Sequence, residues 1–262
     1  MLTIPLALAR TKAVHAAHIW FAPKPKPMDA FKLTYFYNCK FTGPVKGFER
    51  HAKFTKLMDL TRPAEAIFAD FGDSTQKEIK KLMKEPVIFA VESDPAAFQR
   101  FHDDFAQAKG MAALDTKILR SYWPHVAVTK IVSNHEDLVM HSYVVDPAAG
   151  RVTQWHSVSQ FRGAEDNVKR RLISRANRLL HWRDIEHFKT MGFRIFDIGG
   201  YAYQTTDESL QRINEFKDSF GGELVEESSY ASAAITLLRR VKSAFKPRAE
   251  QPSAKAPSPT AS

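Results

Sequence analysis

A chain of 262 residues with a single cysteine, Cys39, has no internal disulfide. Such cysteine usage fits a reducing compartment. Long apolar runs are also missing, and none reaches the roughly 18 residues that a membrane helix needs. The N-terminal stretch LTIPLALARTKAVHAAHIW places its apolar run before its first basic residue, the reverse of a secretory leader. It therefore reads as the loosely ordered start of a mature, cytoplasmic protein. The ten histidines are scattered, with no HExxH pair and no cysteine partners, so no metal is expected. There is no Walker loop, no GxGxxG and no GxSxG elbow. Those absences weigh against P-loop kinases, dinucleotide enzymes and α/β-hydrolases.

What is present is charge and core-forming material. The formal net charge is +9, and 44% of the residues are hydrophobic. The charge favours an anionic partner: a phosphorylated cofactor, a nucleic acid or an acidic surface. Part of it lies in the PKPKP connector at 23–27 and in the C-terminal tail, which define no site. The apolar content suits one large domain or two small ones.

Periodicity divides the chain further. Alternating aromatics predict a strand over 31–37, and another follows over 51–60. Pro63 opens a helix to Ala69. STQKEIKKLMKE, behind Asp73 and Ser74, is a helix with a basic face. A strand over 87–91 and helices over 95–108 and 115–123 follow. Three strands over 125–132, 138–145 and 152–158, joined by short polar turns, predict an antiparallel meander. A long helix spans 165–190 and stops at Gly192. Then come a strand over 193–198, a helix from Asp207 to Ser219, a break at Gly221 and Gly222, and a strand over 224–229. Residues 231–245 read equally as strand or helix. The remaining 246–262 are mostly Pro, Ala, Ser and Lys and are expected to be disordered.

The segment ANRLLHWRDIEHFKTMGFRIFDIGG, followed by NEFKDSFGGELVE, resembles the C-terminal half of GNAT-like, FemABX-related acyl- and aminoacyltransferases. The resemblance is clearest over 122–238. It implies an α/β fold with a mixed, mainly antiparallel twisted sheet flanked by helices. Residues 122–245 would form the acyltransferase domain and 31–121 an N-terminal half, a degenerate copy of the same fold. Residues 1–30 would be an extension. The implied reaction is N-acyl transfer to an amine of a sugar, amino acid or cell-envelope precursor. The implied donor is acyl-coenzyme A, with an acyl carrier protein left open; the runner-up is a FemABX-type aminoacyltransferase that uses charged transfer RNA on a peptidoglycan precursor. A non-catalytic binder of an anionic polymer is the alternative from another class.

The site residues follow from the resemblance and from local chemistry. Lys217, between Phe216 and Phe220, is implied to polarise the donor carbonyl. Phe220 and Gly221 complete that donor-binding element. Asp197, at the end of a buried strand, is a candidate base or orienting carboxylate. Gly199 and Gly200 clear space beside it. His181 is a candidate proton acceptor, and Trp182 a pocket wall. Arg175, Asn177 and Arg178 are candidates for phosphate or sugar contacts, with a solvated helix face as the competing reading. Gln160, Arg162 and Gly163 precede a helix N-terminus and form the pyrophosphate candidate. QFRGAE departs from the family's coenzyme-A loop by ending in Glu165 where that loop has Gly or Ala. His141 and His156, on adjacent strands, are candidate cleft walls.

Overall fold

The computed structural model describes residues 1–6, 16–164 and 166–244, with side chains through 241. Ten strands are described: β1 (Leu2–Leu6), β2 (Ala16–Trp20), β3 (Leu33–Cys39), β4 (Phe48–Asp59), β5 (Val87–Val91), β6 (Val126–Ser133), β7 (Glu136–Asp146), β8 (Arg151–Ser159), β9 (Ile195–Tyr201) and β10 (Glu223–Ser232). They form one sheet in the order β1-β2-β3-β10-β4-β9-β8-β7-β6-β5. Neighbours run antiparallel except at β2–β3 and β8–β9. The helices are α1 (Ala64–Ala69), α2 (Asp73–Leu82), α3 (Pro95–Lys109), α4 (Thr116–Tyr122), α5 (Asn167–Thr190), α6 (Glu208–Asp218) and α7 (Ala233–Ala244). This is the expected α/β class: a mixed, mainly antiparallel sheet flanked by helices.

Local chemistry accounts for most boundaries. Asp94, Asp115, Asp166 and Asp207 each accept a backbone N–H at a helix start. Gly110 and Gly192 end α3 and α5 at φ 66° and 85°. The main core lies between the sheet and α5. Ile173, Ala176, Leu180, Ile185 and Phe188 on α5 pack on Tyr143, Val152, Phe196 and Ile198 of the central strands. No described helix is long and apolar enough to cross a membrane.

Two readings change. The start of the chain, expected to be loosely ordered, supplies β1 and β2 at one margin of the sheet. Trp20 stacks on Tyr37 there, and its indole N–H donates to the Tyr122 hydroxyl at 3.1 Å. The ambiguous stretch from 231 completes β10 and then becomes α7. Strands from before residue 122 stand at both margins, β1–β3 on one side and β5 on the other, with β4 between β10 and β9. The tail at 246–262 lies outside the described residues.

Candidate active site

The site begins where the sheet comes apart. Strands β8 and β9 pair in parallel at three positions only, Arg151 with Ile195, Val152 with Phe196 and Thr153 with Asp197. Past that point both strands carry an extra residue. On β8, Gln154 and His156 oppose Tyr143 and Ser142, which leaves Trp155 bulged. On β9, Asp197 and Gly200 oppose Leu57 and Thr55, so β9 has one residue more than β4. Gly199 takes up that excess at φ 84°, where an added Cβ would stand 3.2 Å from the Gln154 carbonyl oxygen. Bulges bend their strands and sharpen the twist. Facing bulges therefore drive β8 and β9 apart, and a cleft of about 980 Å³ opens between them.

The cleft is strongly cationic. Lys109, Arg162, Arg170, Arg178, Arg212 and Lys217 line it, and among the described residues no carboxylate does. Its apolar lining includes Ile173, Ile198, Ile213 and Phe216. Lys217 comes from the last turn of α6, and its ammonium donates to the Gly200 carbonyl. Burial pushes its pKa down to about 8; nearby Asp197 works against that shift and Lys53 adds to it. The Arg178 guanidinium lies 5.4 Å from the Phe216 ring centre and donates to Ser174 Oγ at 2.8 Å. Burial lowers its pKa as well.

Behind the wall lies a hydrogen-bonded cluster centred on His141. His141 Nδ1 stands 2.8 Å from Asp184 Oδ2, and its Nε2 stands 2.8 Å from Asn177 Oδ1. The Tyr143 hydroxyl donates to the same Asp184 oxygen at 2.6 Å. Asn177 reaches the cleft; His141 and Asp184 do not. His181 packs 4.3 Å from His141 and 4.8 Å from Phe220, ring centre to ring centre. Its Nδ1 has no hydrogen-bond partner. Full burial holds its pKa well below the ordinary histidine value, so the ring is neutral at pH 7.

Seven of the sequence candidates line the cleft: Lys217, His181, Arg162, Asn177, Arg178, Gly199 and Gly200. Gln160 and Gly163 flank it in the short turn that carries Arg162. The following helix start is already capped, because the Asp166 carboxylate accepts the Lys169 N–H at 2.7 Å. Asp197 lies beneath the cleft, fully buried. Thr55, Arg151, Thr153 Oγ1 at 3.0 Å and the Gly199 N–H at 2.9 Å all donate to it. The remaining candidates sit elsewhere. Arg175 pairs with Glu78 on α2. His156 bonds Ser142 Oγ at 2.9 Å beside His102, and burial takes its pKa down to about 3. Trp182 packs on Phe68 and Phe71 in the core. Phe220 and Gly221 border a separate depression next to Asp59 and Asp70.

Sequence reasoning missed Lys109, Arg170, Arg212 and Trp155. Lys109, Arg170 and Arg212 each lie on a different helix, on a face that looks solvated, and three helices are needed to gather them. Among the described residues no group of three His, Cys, Asp or Glu side chains converges to hold a metal ion.

Comparison with known proteins bears on the fold. Sequence comparison finds no matching family model and no matching curated protein. Solved structures do match. The C-terminal domain of a lysylphosphatidylglycerol synthetase from Agrobacterium fabrum superposes with a TM-score of 0.52 at 13% identity, over 79% of this chain and 72% of that one. FemX gives 0.57 at 10% identity, over 79% and 68%. L-PGS from Bacillus licheniformis gives 0.50 at 10%, over 79% and 72%. The chain thus shares its fold with FemX and these lysylphosphatidylglycerol synthetase structures, in keeping with the α/β fold that the resemblance implied.

Proposed function

We propose that the chain is an N-acyltransferase that moves an acyl group from a phosphate-bearing activated donor to an amine. The observation that carries this reading is the gap between β8 and β9 with the half-buried Lys217 ammonium beside it. From Gln154 onward the β8 edge has no β9 partner, so its backbone is open to a ligand lying in the gap. A carbonyl seated there meets Lys217. The amine nitrogen attacks the carbonyl carbon, and the Lys217 ammonium stabilises the oxyanion that forms. The neutral His181 ring, or water held at Asn177, takes the amine proton. The carbonyl re-forms as the bond to the leaving group breaks, and the departing thiolate is protonated. Lys109, Arg162 and Arg170 hold the donor's phosphates, and proximity of the two substrates supplies much of the acceleration.

Acyl-coenzyme A is the first donor proposed. An aminoacyl ester of transfer RNA is the second, supported by Lys77, Lys80 and Lys81 on α2 and Lys84 just after it, around a shallow depression that Asp73 and Gln76 also line. The acceptor proposed is an amine of a sugar, amino acid or cell-envelope precursor. Incubation with a panel of acyl-coenzyme A donors, charged transfer RNAs and amine acceptors, read by mass spectrometry, tests both donors. Consumption of a thioester supports the first; consumption of an aminoacyl ester alone moves the assignment to the second. Consumption of neither, by a folded protein, overturns acyl transfer.

A further inference from the structure

Away from the cleft, one surface is built in a way that acyl transfer does not require. The turn Pro27–Phe31 ahead of β3 exposes Met28 by 75% and Phe31 by 87%. Helix α7 packs against this turn and exposes Leu237 by 65%, together with Leu238 and Val241. A phenylalanine that open, beside four more exposed apolar side chains, is unusual for a surface that meets only water.

The patch is rimmed by cations. Lys24, Lys26 and Lys32 flank the turn, and all are exposed. Lys46 is exposed in the loop whose Gly47 touches both elements: its carbonyl accepts the Ala233 N–H at 2.9 Å, and its Cα faces the Ala30 Cβ. Arg239 adds a further cation from α7. The carboxylates present are Asp29, bonded to Lys32 at 2.8 Å, and Glu49, which accepts from Thr236 at 3.1 Å. A second copy of this chain would bring the same cations against these. An anionic lipid surface accepts both components, the apolar tips among its acyl chains and the cations at its headgroups.

Topology gives the patch a direction. Strands β8, β9 and β10 run the same way, and β3 and β4 run opposite to β10. The end of β10, the start of α7 and the start of β3 therefore share the end of the sheet toward which β8 and β9 diverge. α7 leaves two strands over from β9, about 10 Å across at the usual spacing, and β10 runs on to Ser232 opposite Phe48 whereas β9 ends at Tyr201 opposite Phe54, so the patch stands about 20 Å farther along that same end of the sheet.

We propose that Met28, Phe31, Leu237, Leu238 and Val241 form an interfacial membrane-docking surface that binds anionic lipid. It sets the sheet end carrying the cleft against the bilayer. The docking stands whichever donor the cleft takes. The test is sedimentation of the full chain with vesicles of phosphatidylcholine, with and without admixed phosphatidylglycerol. Binding is expected with the anionic vesicles and weakened by salt. The triple variant Phe31→Ser, Leu237→Ser, Val241→Ser should lose about tenfold or more in affinity. Circular dichroism and retained acyl transfer to a soluble amine would show that this variant is folded. A second variant, Lys26→Glu with Lys46→Glu, should lose binding at low salt while leaving the apolar patch intact. Three results overturn the proposal: no anionic-vesicle binding by the folded wild type, equal binding by the triple variant, or a wild-type dimer that the triple variant abolishes.

Discussion

Asp197 and Gly199 stand two residues apart on β9, and charge is handled in opposite ways around them. At Asp197 the charges are closed. Arg151 bridges Asp197 and Glu227, with Nη1 2.6 Å from Glu227 Oε1. Asn38 Nδ2 donates to Glu227 at 2.7 Å, and two threonines and a backbone N–H complete Asp197. The cluster ties β3, β4, β8, β9 and β10 together at the point where β8 and β9 still pair. Past the Gly199 bulge the charges are open. Six cations line the cleft, and within 4 Å only Arg212 has a carboxylate partner among the described residues. The Arg151 pKa is raised by its partners despite burial, whereas that of Lys217 is lowered by it. Of the six, Lys217 and Arg178 are partly buried and the others exposed; unpaired cations of one sign lower stability, and a fold retains them where a ligand supplies the missing charge.

The sharpest way to break this contrast is to open the closed side. Arg151→Ala leaves Asp197 and Glu227 buried without their counterion, which costs about 3–5 kcal/mol. Urea unfolding measures it; a loss below about 1 kcal/mol would show that the cluster does not hold the strands. Asp197→Asn should likewise act first on stability, because every donor around that carboxylate serves the fold. A general base would instead lose its limb of the pH–rate profile with the unfolding midpoint unmoved.

The mirror experiment is on the open side. Lys217→Met is expected to lower kcat by about 10²- to 10³-fold, the usual cost of one oxyanion donor. It should leave the unfolding midpoint unchanged or raise it. Unaltered turnover in Lys217→Met removes the lysine from the mechanism. The pH dependence has a defined sign. If the ammonium form is the active one, turnover falls as pH rises through about 8. Lys217→Arg extends activity to higher pH, since a guanidinium stays charged. Stability moves the other way. Between about pH 8 and the unfolded lysine value the unfolded chain binds more protons, so the wild type gains stability relative to Lys217→Met as pH rises.

The closed and open sides were not equally legible in the sequence. Periodicity and capping residues gave the meander, α3, α5 and α6 to within a few residues, because those signals are local. Lys217, His181, Arg178 and Gly199 were found from one contiguous segment. Arg151 was missed: a single arginine at the start of an apolar strand reads as its polar end, and only three-dimensional pairing reveals its two carboxylates. β1 and β2 were missed for a related reason. They join the sheet through a parallel pair, which leaves no hairpin turn to read. The splay itself depends on register, since Trp155 is extra only relative to Ser142 and Tyr143.

Gly199→Ala sits on the boundary between the two sides. The φ of 84° and the 3.2 Å approach to Gln154 both oppose a side chain. The expected cost is about 1–3 kcal/mol of stability. A larger drop in turnover than in stability would show that the bulge sets the gap as well as the turn. Equal losses would make it a turn residue alone.

The smallest effect expected is at the rim. Arg212 is 76% exposed and lies 3.3 Å from Glu208, so water and that carboxylate already screen it. Arg212→Ala should raise the donor KM by about threefold at low salt and hardly at all at high salt, as for exposed ion pairs. Arg178, half-buried against Phe216, keeps more of its effect in salt because solvent screens it less. If the two arginines respond to salt alike, depth in the cleft does not govern how donor charge is read. The contrast with the Arg151 cluster would then rest on pairing alone, without burial.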